Sequence, residues 1–78
     1  MHDLPDDDAW LLERRRALGE RVRAERIRQN LTQDQVWLAA GIDRRTYQHV
    51  EHGSKDVRLS TLLRIARVLD VPLADLVR

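Results

Sequence analysis

Apolar residues recur at helical spacing along most of the chain. In the first third, Leu11, Leu18 and Val22 follow one another at intervals of seven and four residues, which places them on one face of a helix. The pattern predicts a first helix over about residues 8–29, and Asn30 is expected to end it. One of the three aspartates that precede Ala9 (Asp6, Asp7 and Asp8) is expected to cap this helix at its positive end.

Two short helices are predicted in the middle of the chain. Thr32 followed by Gln35 is the pattern of a capping box, which predicts a helix over residues 33–39. Asp43 is a typical N-cap for a further helix over about residues 44–51. The residues expected to end these two helices are Gly41 and Gly53.

The C-terminal third predicts two more helices. Residues 59–69 carry a broad apolar face, and Pro72 is expected to begin a one-turn helix that ends near Arg78. The residues of the broad face expected in the core are Leu62, Ile65, Ala66 and Leu69. Since no alternating run with hairpin dipeptides is present, we predict an all-α fold, a compact five-helix domain with an extended first helix.

Length and composition exclude several classes of protein. A chain of 78 residues forms one domain with a small core, and with no cysteine it has neither disulfides nor thiolate metal sites. No stretch approaches the ~20 apolar residues of a membrane span, and the acidic N-terminus is unlike a signal peptide. We therefore expect a cytoplasmic protein that does not associate with membranes.

The net charge of +1 hides an uneven distribution. Residues 1–13 contain five acidic side chains and no Lys or Arg, whereas the remaining 65 residues contain all 14 basic side chains and eight acidic ones. This asymmetry favours an anionic partner for the basic part, although a solvated surface of mixed charge has the same composition. We divide the chain into residues 1–17, an acidic arm with the extension of the first helix, and residues 18–78, the main domain.

The sequence carries no recognisable catalytic set. It has no nucleophile–base pair and no phosphate-binding loop, so we predict that the protein is not an enzyme and needs no cofactor. His49 and His52 are three residues apart, but no third ligand lies near them in the sequence, so no metal site is predicted.

The short connection between the second and third helices is the most informative feature. Only Ile42 and Asp43 separate Gly41 from the third helix. So tight a turn sets two helices at roughly 90–120° to each other. The N-terminal end of the third helix, with Arg44 and Arg45, is then expected to project from the body, as in a helix-turn-helix that enters the DNA major groove.

At these residues the chain resembles the Cro/repressor-type (XRE) helix-turn-helix family over about residues 18–77. The segments that carry the resemblance are Arg21-Val22, Arg26-Ile27, Leu31-Thr32-Gln33, Ala40-Gly41-Ile42, Val50-Glu51-His52-Gly53 and Leu62–Leu69. The resemblance implies a repressor-like, sequence-specific transcriptional regulator. Such a protein reads the major groove of double-stranded DNA with helix 44–51.

The resemblance also implies roles for individual residues. Base contacts are expected from Arg44, Arg45 and His49, since arginine binds guanine O6 and N7 bidentately. Contacts to the DNA backbone are expected from Gln33, Thr46, Gln48, Lys55 and Arg58. Arg26 and Glu51 match a family ion pair between the first and third helices. Each assignment has a plainer alternative, since the arginines also suit a solvated helix start and Arg26–Glu51 an ordinary surface pair.

A lone recognition helix covers few bases, so we expect a two-fold homodimer that reads half-sites about 10 bp apart. Its interface is expected at Leu73, Leu76 and Val77, with Trp10 as a second candidate. Because no ligand-binding domain follows the fifth helix, we expect control by concentration, by dimerisation or by a regulatory protein partner. The alternatives on the same fold are a protein-interaction module and an antitoxin or restriction-controller-type regulator.

Two large residues depart from the family pattern. Trp37 stands where a small residue is usual, and Tyr47 replaces an aliphatic residue on the inner face of the third helix. We hypothesise that the two rings stack on each other, since aromatic pairs add ~0.5–1.5 kcal/mol to burial. We also hypothesise that the acidic residues 1–8 weaken non-specific DNA binding by competing for the basic surface.

Overall fold

The computed structural model describes residues 8–78, which form five helices. They are α1 (Ala9–Arg28), α2 (Gln33–Ala40), α3 (Arg44–His52), α4 (Leu59–Leu69) and α5 (Leu73–Val77). No strand occurs in the described residues. The predicted all-α fold with a long first helix is confirmed. The hypothesis on the acidic arm and the capping roles of Asp6 and Asp7 concern residues outside the described part.

The caps of α2 and α3 form as their sequences predict. The backbone N–H of Gln35 donates to Thr32 Oγ1 at 3.1 Å, and the Thr32 N–H donates to Gln35 Oε1 at 2.8 Å. Asp43 Oδ2 accepts from the N–H of Thr46 at 3.2 Å. These bonds satisfy backbone donors that a helix start otherwise leaves open, so both helices begin at defined residues.

Asp8 does not cap α1 as expected. It occupies the N-cap position, but its side chain accepts no capping hydrogen bond. A capping side chain needs an extended backbone, whereas Asp8 has φ −103° and ψ 21°. The helix begins close to the predicted residue, and of the three candidate caps Asp8 is ruled out, while Asp6 and Asp7 lie outside the described residues.

Four helix ends adopt left-handed backbone conformation. Gly41 (φ 71°) and Gly53 (φ 65°) do so as predicted, and Asn30 (φ 58°) and Asp70 (φ 56°) do so without being glycine. Asn and Asp are the residues that tolerate this region best after glycine. The reversals let the short helices fold back on one another within few residues.

The core lies where α1, α2, α3 and α4 meet and extends to α5. Its fully buried side chains are Val22, Val36, Tyr47, Ile65 and Leu69. Of the predicted α4 core residues, Ile65, Ala66 and Leu69 are buried and Leu62 is partly buried. Leu59 and Leu63, which also belong to the broad apolar face, are instead 62% and 50% exposed.

Gly19 allows α1 and α3 to touch along their backbones. A Cβ at Gly19 would lie 2.3 Å from the carbonyl oxygen of Glu51 and 2.4 Å from that of Val50. Such distances are far inside van der Waals contact, so no side chain fits here without moving a helix. The cost of glycine within a helix is therefore offset by a close helix–helix contact.

α1 is also attached to α5 by hydrogen bonds from both of its halves. Arg14 Nη2 donates to the carbonyl oxygen of Val77 at 3.1 Å, and Arg21 Nη1 donates to that of Leu76 at 3.3 Å. α1 runs without interruption past residue 17, so its extension packs against the same body as its second half. Within residues 8–78, no helix is both long and apolar enough to cross a membrane.

Candidate nucleic-acid interface

The two faces of α3 differ sharply in burial. Tyr47, Val50 and Glu51 are buried and face the other helices. Arg45 begins a stripe that continues at positions three, four and seven residues later, the spacing of one helix face. The members of this outward stripe are Arg45, Gln48, His49 and His52.

The leading arginines of α3 are accessible, although the charge of Arg45 helps the hydrogen bonds from Thr46 to lower the pKa of Asp43. Arg44 and Arg45 are both exposed, and neither forms a hydrogen bond or ion pair within the described part of the chain. Two exposed guanidinium groups at the start of a helix suit planar acceptors such as guanine or phosphate. The contacts of both residues with DNA stay a prediction.

A buried carboxylate joins three helices behind this stripe. Glu51 Oε2 accepts from Arg26 Nε of α1 at 2.7 Å and from the hydroxyl of Tyr47, while Oε1 accepts from Arg26 Nη2 at 3.3 Å. Gln33 Nε2 of α2 donates to the same Oε1 at 3.1 Å. The Glu51 side chain is only 1% exposed and that of Arg26 12%. The charge is therefore enclosed and fully paired.

The protonation of this cluster follows from its contacts. Burial alone would raise the pKa of Glu51, but hydrogen bonds from Arg26, Tyr47 and Gln33 outweigh it and hold that pKa below its usual value. The bond to Glu51 raises the pKa of Arg26. Burial, reinforced by the bond to Glu51, raises the pKa of Tyr47. The cluster therefore holds an anion, a cation and a neutral phenol near neutral pH.

The candidate backbone contacts occupy two different environments. Gln33 is partly buried and gives one amide proton to Glu51, which fixes its side chain at the first residue of α2. The hydroxyl of Thr46 donates to Asp43 Oδ1, so its proton is already engaged. Gln48 is partly buried, and Lys55 and Arg58 are exposed in the loop between α3 and α4.

A groove of about 510 Å³ separates the start of α3 from that loop. Basic and acidic side chains line it together, since His49, Lys55 and Arg58 face it along with Asp43 and Asp56. His49 Nδ1 lies 3.1 Å from Ser54 Oγ, which ties its ring to the loop. The groove therefore has a mixed lining and adjoins the outward stripe at His49.

Comparison with known proteins agrees with this geometry. A helix-turn-helix family model matches residues 22–76. The chain belongs to the Cro/repressor-type (XRE) helix-turn-helix family. The match covers α2 to α4, most of α5 and the last third of α1.

Relatives of this helix-turn-helix protein include two with curated descriptions. The control protein C.SmaI of Serratia marcescens is 33% identical over 73 residues, which are 94% of this chain and 87% of the relative. The cryptic phage CTXphi transcriptional repressor RstR of Vibrio cholerae is 32% identical over 59 residues. These cover 76% of this chain and 53% of the repressor, so the chain spans about half of that relative's length.

Two solved structures share the fold. The restriction-modification controller protein C.AhdI of Aeromonas hydrophila superposes with a TM-score of 0.76 at 31% identity, over 80% of this chain and 94% of that one. The clp gene regulator ClgR of C. glutamicum gives a TM-score of 0.74 at 25% identity, over 81% of this chain and 82% of that one. Their descriptions name regulators rather than enzymes.

The two residues that depart from the family pattern have separate polar partners. Tyr47 is fully buried and donates its hydroxyl to Glu51. Trp37 is partly buried, and its Nε1 donates to Asp34 Oδ1 at 3.0 Å in the first turn of α2. Tyr47 thus contributes a donor to the carboxylate cluster, which the stacking hypothesis did not include.

The candidate dimer residues differ in accessibility. Leu76 is 3% exposed and packs in the core of its own chain, which leaves it no surface for a second copy. Val77 is 43% exposed and Trp10 55%, while Leu73 is partly buried. Of the predicted interface residues, only Val77, Trp10 and Leu73 retain accessible surface for contact with another molecule.

Sequence reasoning missed two features of this interface. It considered His52 only as a metal ligand, although the seven-residue spacing from Arg45 places it on the outward stripe. It also lacked the role of Gly19, whose close contact appears only when α1 and α3 are packed. No group of three or more His, Cys, Asp or Glu side chains that could hold a metal ion occurs among residues 8–78.

Proposed function

We propose that this protein, a DNA-binding transcriptional regulator, inserts α3 into the major groove of double-stranded DNA in the cytoplasm. The observation that carries the proposal is a pair of exposed arginines at the start of α3 that form no hydrogen bond or ion pair within residues 8–78. The opposite, buried side of α3 is fixed by the contacts of Glu51. A fixed helix presents its side chains in one geometry, so little ordering is needed on binding. Arg44, Arg45 and His49 are proposed to contact base edges.

The DNA backbone contacts are proposed on both sides of α3. Gln33 and the free N–H groups of the first turn of α2 suit one phosphate, because a helix start attracts anions. Lys55 and Arg58 suit phosphates beside the groove between α3 and α4. Gln48 and Thr46 are further candidates, and Thr46 must exchange its bond to Asp43 to donate to a phosphate.

A two-fold homodimer is proposed because one α3 reads too few bases for a unique site. The contact surface is proposed at Leu73, Val77 and Trp10, which retain exposed apolar area. A regulatory protein partner is proposed to act on this dimer.

The test is selection of bound sequences from a random duplex pool. We expect a palindrome with half-sites about 10 bp apart. Arg45→Ala and Arg44→Ala should each relax base preference at one position per half-site by about 1–3 kcal/mol. Arg67→Ala is the matched control, since Arg67 is exposed on α4 and has no partner within residues 8–78. Failure to enrich any sequence, or unchanged preference in both α3 variants, would contradict the proposal.

A controller-type regulator is the narrower function that two comparisons favour. C.SmaI is described as a control protein, and C.AhdI as a restriction-modification controller. Such a function predicts that the selected palindrome lies near restriction and modification genes in the source genome. Sites clustered near unrelated genes would instead favour a repressor of another kind, as the relative RstR is described.

A further inference from the structure

The first half of α1 lies outside the matched family region, yet it contacts the C-terminal end of α3. A Cβ at Gly53 would lie 2.7 Å from both the Cα and the N of Arg16 and 2.8 Å from the carbonyl carbon of Arg15. Arg15 Nε also donates to the carbonyl oxygen of Gly53 at 3.4 Å. The backbone of α1 at Arg16 therefore rests directly against the residue that ends the DNA-reading helix.

The arginines of α1 divide between two flanks of that helix. Arg14 and Arg21 point to α5, where both donate to main-chain carbonyl groups. Gly19 faces α3. Arg16 precedes Gly19 by three residues and Arg23 follows it by four, so both lie beside the α3 contact, on the flank turned away from α5. We call Arg16 and Arg23 the α1 strip.

The charges of the α1 strip are available. Both arginines are exposed, and neither forms an ion pair or side-chain hydrogen bond within residues 8–78. The backbone of Arg16 lies against Gly53, which directly follows His52, the exposed last residue of α3. Glu20 lies between the two arginines in sequence and is also exposed, but it pairs with neither. The strip therefore adds two positive charges that form no ion pair within residues 8–78, with the carboxylate of Glu20 beside them.

We propose that Arg16 and Arg23 bind phosphates of the DNA backbone beside the groove that α3 enters. Arg16 extends the contact beyond residues 22–76, which the family model matches, and Arg23 lies at the start of that region. This inference rests on the proposed DNA-binding function. Guanidinium groups bind phosphate oxygens bidentately and stay charged at all physiological pH values. Phosphate contacts position a protein on the duplex without reading sequence. The strip is thus expected to add affinity and to leave base preference unchanged.

The salt dependence of binding tests the α1 strip. Each lost phosphate contact lowers the slope of log affinity against log salt concentration by about 0.9. With two contacts from each protomer of the proposed homodimer, the slope should differ by about 3.6. Wild-type affinity should therefore fall about 150-fold more between 50 and 200 mM NaCl than that of the Arg16→Ala/Arg23→Ala double variant. The duplex is the palindrome selected by the wild-type protein, with flanking base pairs on both sides. Circular dichroism and urea unfolding verify that the variants remain folded.

Three controls distinguish this inference from the proposed function. Arg67→Ala removes an equally exposed arginine from α4 and should leave the slope unchanged. Glu20→Gln removes a negative charge beside the strip and should raise affinity, an effect opposite to that of the double variant. The sequence selected by the double variant should match that of the wild type.

The results separate cleanly. A double variant with the same salt slope as Arg67→Ala would overturn the α1 strip while leaving the reading role of α3 intact. A double variant with an altered base preference would mean that the arginines act on α3 rather than on phosphates, which also contradicts the proposal. A wild-type protein that binds no duplex would overturn both proposals.

Discussion

The inner and outer faces of α3 carry similar chemistry and use it differently. On the inner face, the charge of Glu51 is enclosed and receives hydrogen bonds from Arg26, Gln33 and Tyr47. On the outer face, Arg44 and Arg45 are exposed and unpaired within the described residues. The chain itself supplies every partner on the inside, whereas the partners on the outside must come from another molecule. Changes to the two faces should therefore affect different properties.

The largest effect is expected from Glu51→Ala. The substitution leaves the nearly buried guanidinium of Arg26 without its counter-charge and removes the acceptor of Tyr47 and Gln33. Urea titration should show that the free energy of unfolding falls by about 3–5 kcal/mol, which is typical when one partner of a buried ion pair is removed. Glu25→Ala is the control, because Glu25 pairs with Arg28 at the surface and should matter little. Equal losses in both variants would remove the distinction between the faces.

Gly19→Ala should be the next most damaging change. Alanine normally favours a helix by roughly 1 kcal/mol over glycine. Here its Cβ would meet the carbonyl oxygens of Glu51 and Val50, so we expect a net loss of about 1–3 kcal/mol as α1 moves away from α3. Ala24→Gly, at an exposed site of the same helix, should lower the free energy of unfolding only by the helix preference of alanine over glycine, roughly 1 kcal/mol. A stabilised Gly19→Ala protein would show that the helices are not held this closely.

Acid should weaken the inner face before it affects the outer one. The pKa of Glu51 lies below its unfolded value of 4.5, so its contribution to stability is complete above that pH and disappears as the pH falls through the folded pKa. Between pH 6 and pH 3, the free energy of unfolding in urea should therefore fall more steeply for the wild type than for Glu51→Gln. Each protein is compared with its own value at neutral pH. Parallel curves would mean that Glu51 does not contribute to the acid sensitivity.

The smallest effect on stability is expected on the outer face. Arg44→Ala and Arg45→Ala remove no contact within residues 8–78, so the free energy of unfolding should change by no more than about 0.5 kcal/mol. The same variants should nevertheless weaken DNA binding, as measured by fluorescence anisotropy with a labelled duplex. A marked loss of stability in either variant would show that these arginines serve the fold.

The sequence predicted the helices well because their boundaries are encoded locally. Thr32 with Gln35, Asp43, Gly41 and Gly53 each act within a few residues, and the structure contains all of these caps and turns. Asp8 is the exception, since residue type gives the position of a cap but not its backbone conformation. The apolar pattern of α4 likewise gave its core residues but did not reveal that Leu59 and Leu63 remain exposed.

The site was predictable only in part, because the carboxylate cluster behind it depends on contacts between residues far apart in the sequence. Arg44 and Arg45 are outward because a tight turn precedes them, which the sequence shows. The pairing of Arg26 with Glu51 was expected from family resemblance and not from spacing. The bonds of Tyr47 and Gln33 to the same carboxylate need three helices in place, as does the contact at Gly19.

Asn30 and Asp70 reverse the chain in a left-handed conformation that costs any residue other than glycine some free energy. Neither belongs to the outward stripe of α3 or to the α1 strip. The stability of the fold can therefore be raised without touching the proposed DNA contacts. Relief of this backbone strain would give a more heat-resistant regulator that still recognises the same operator.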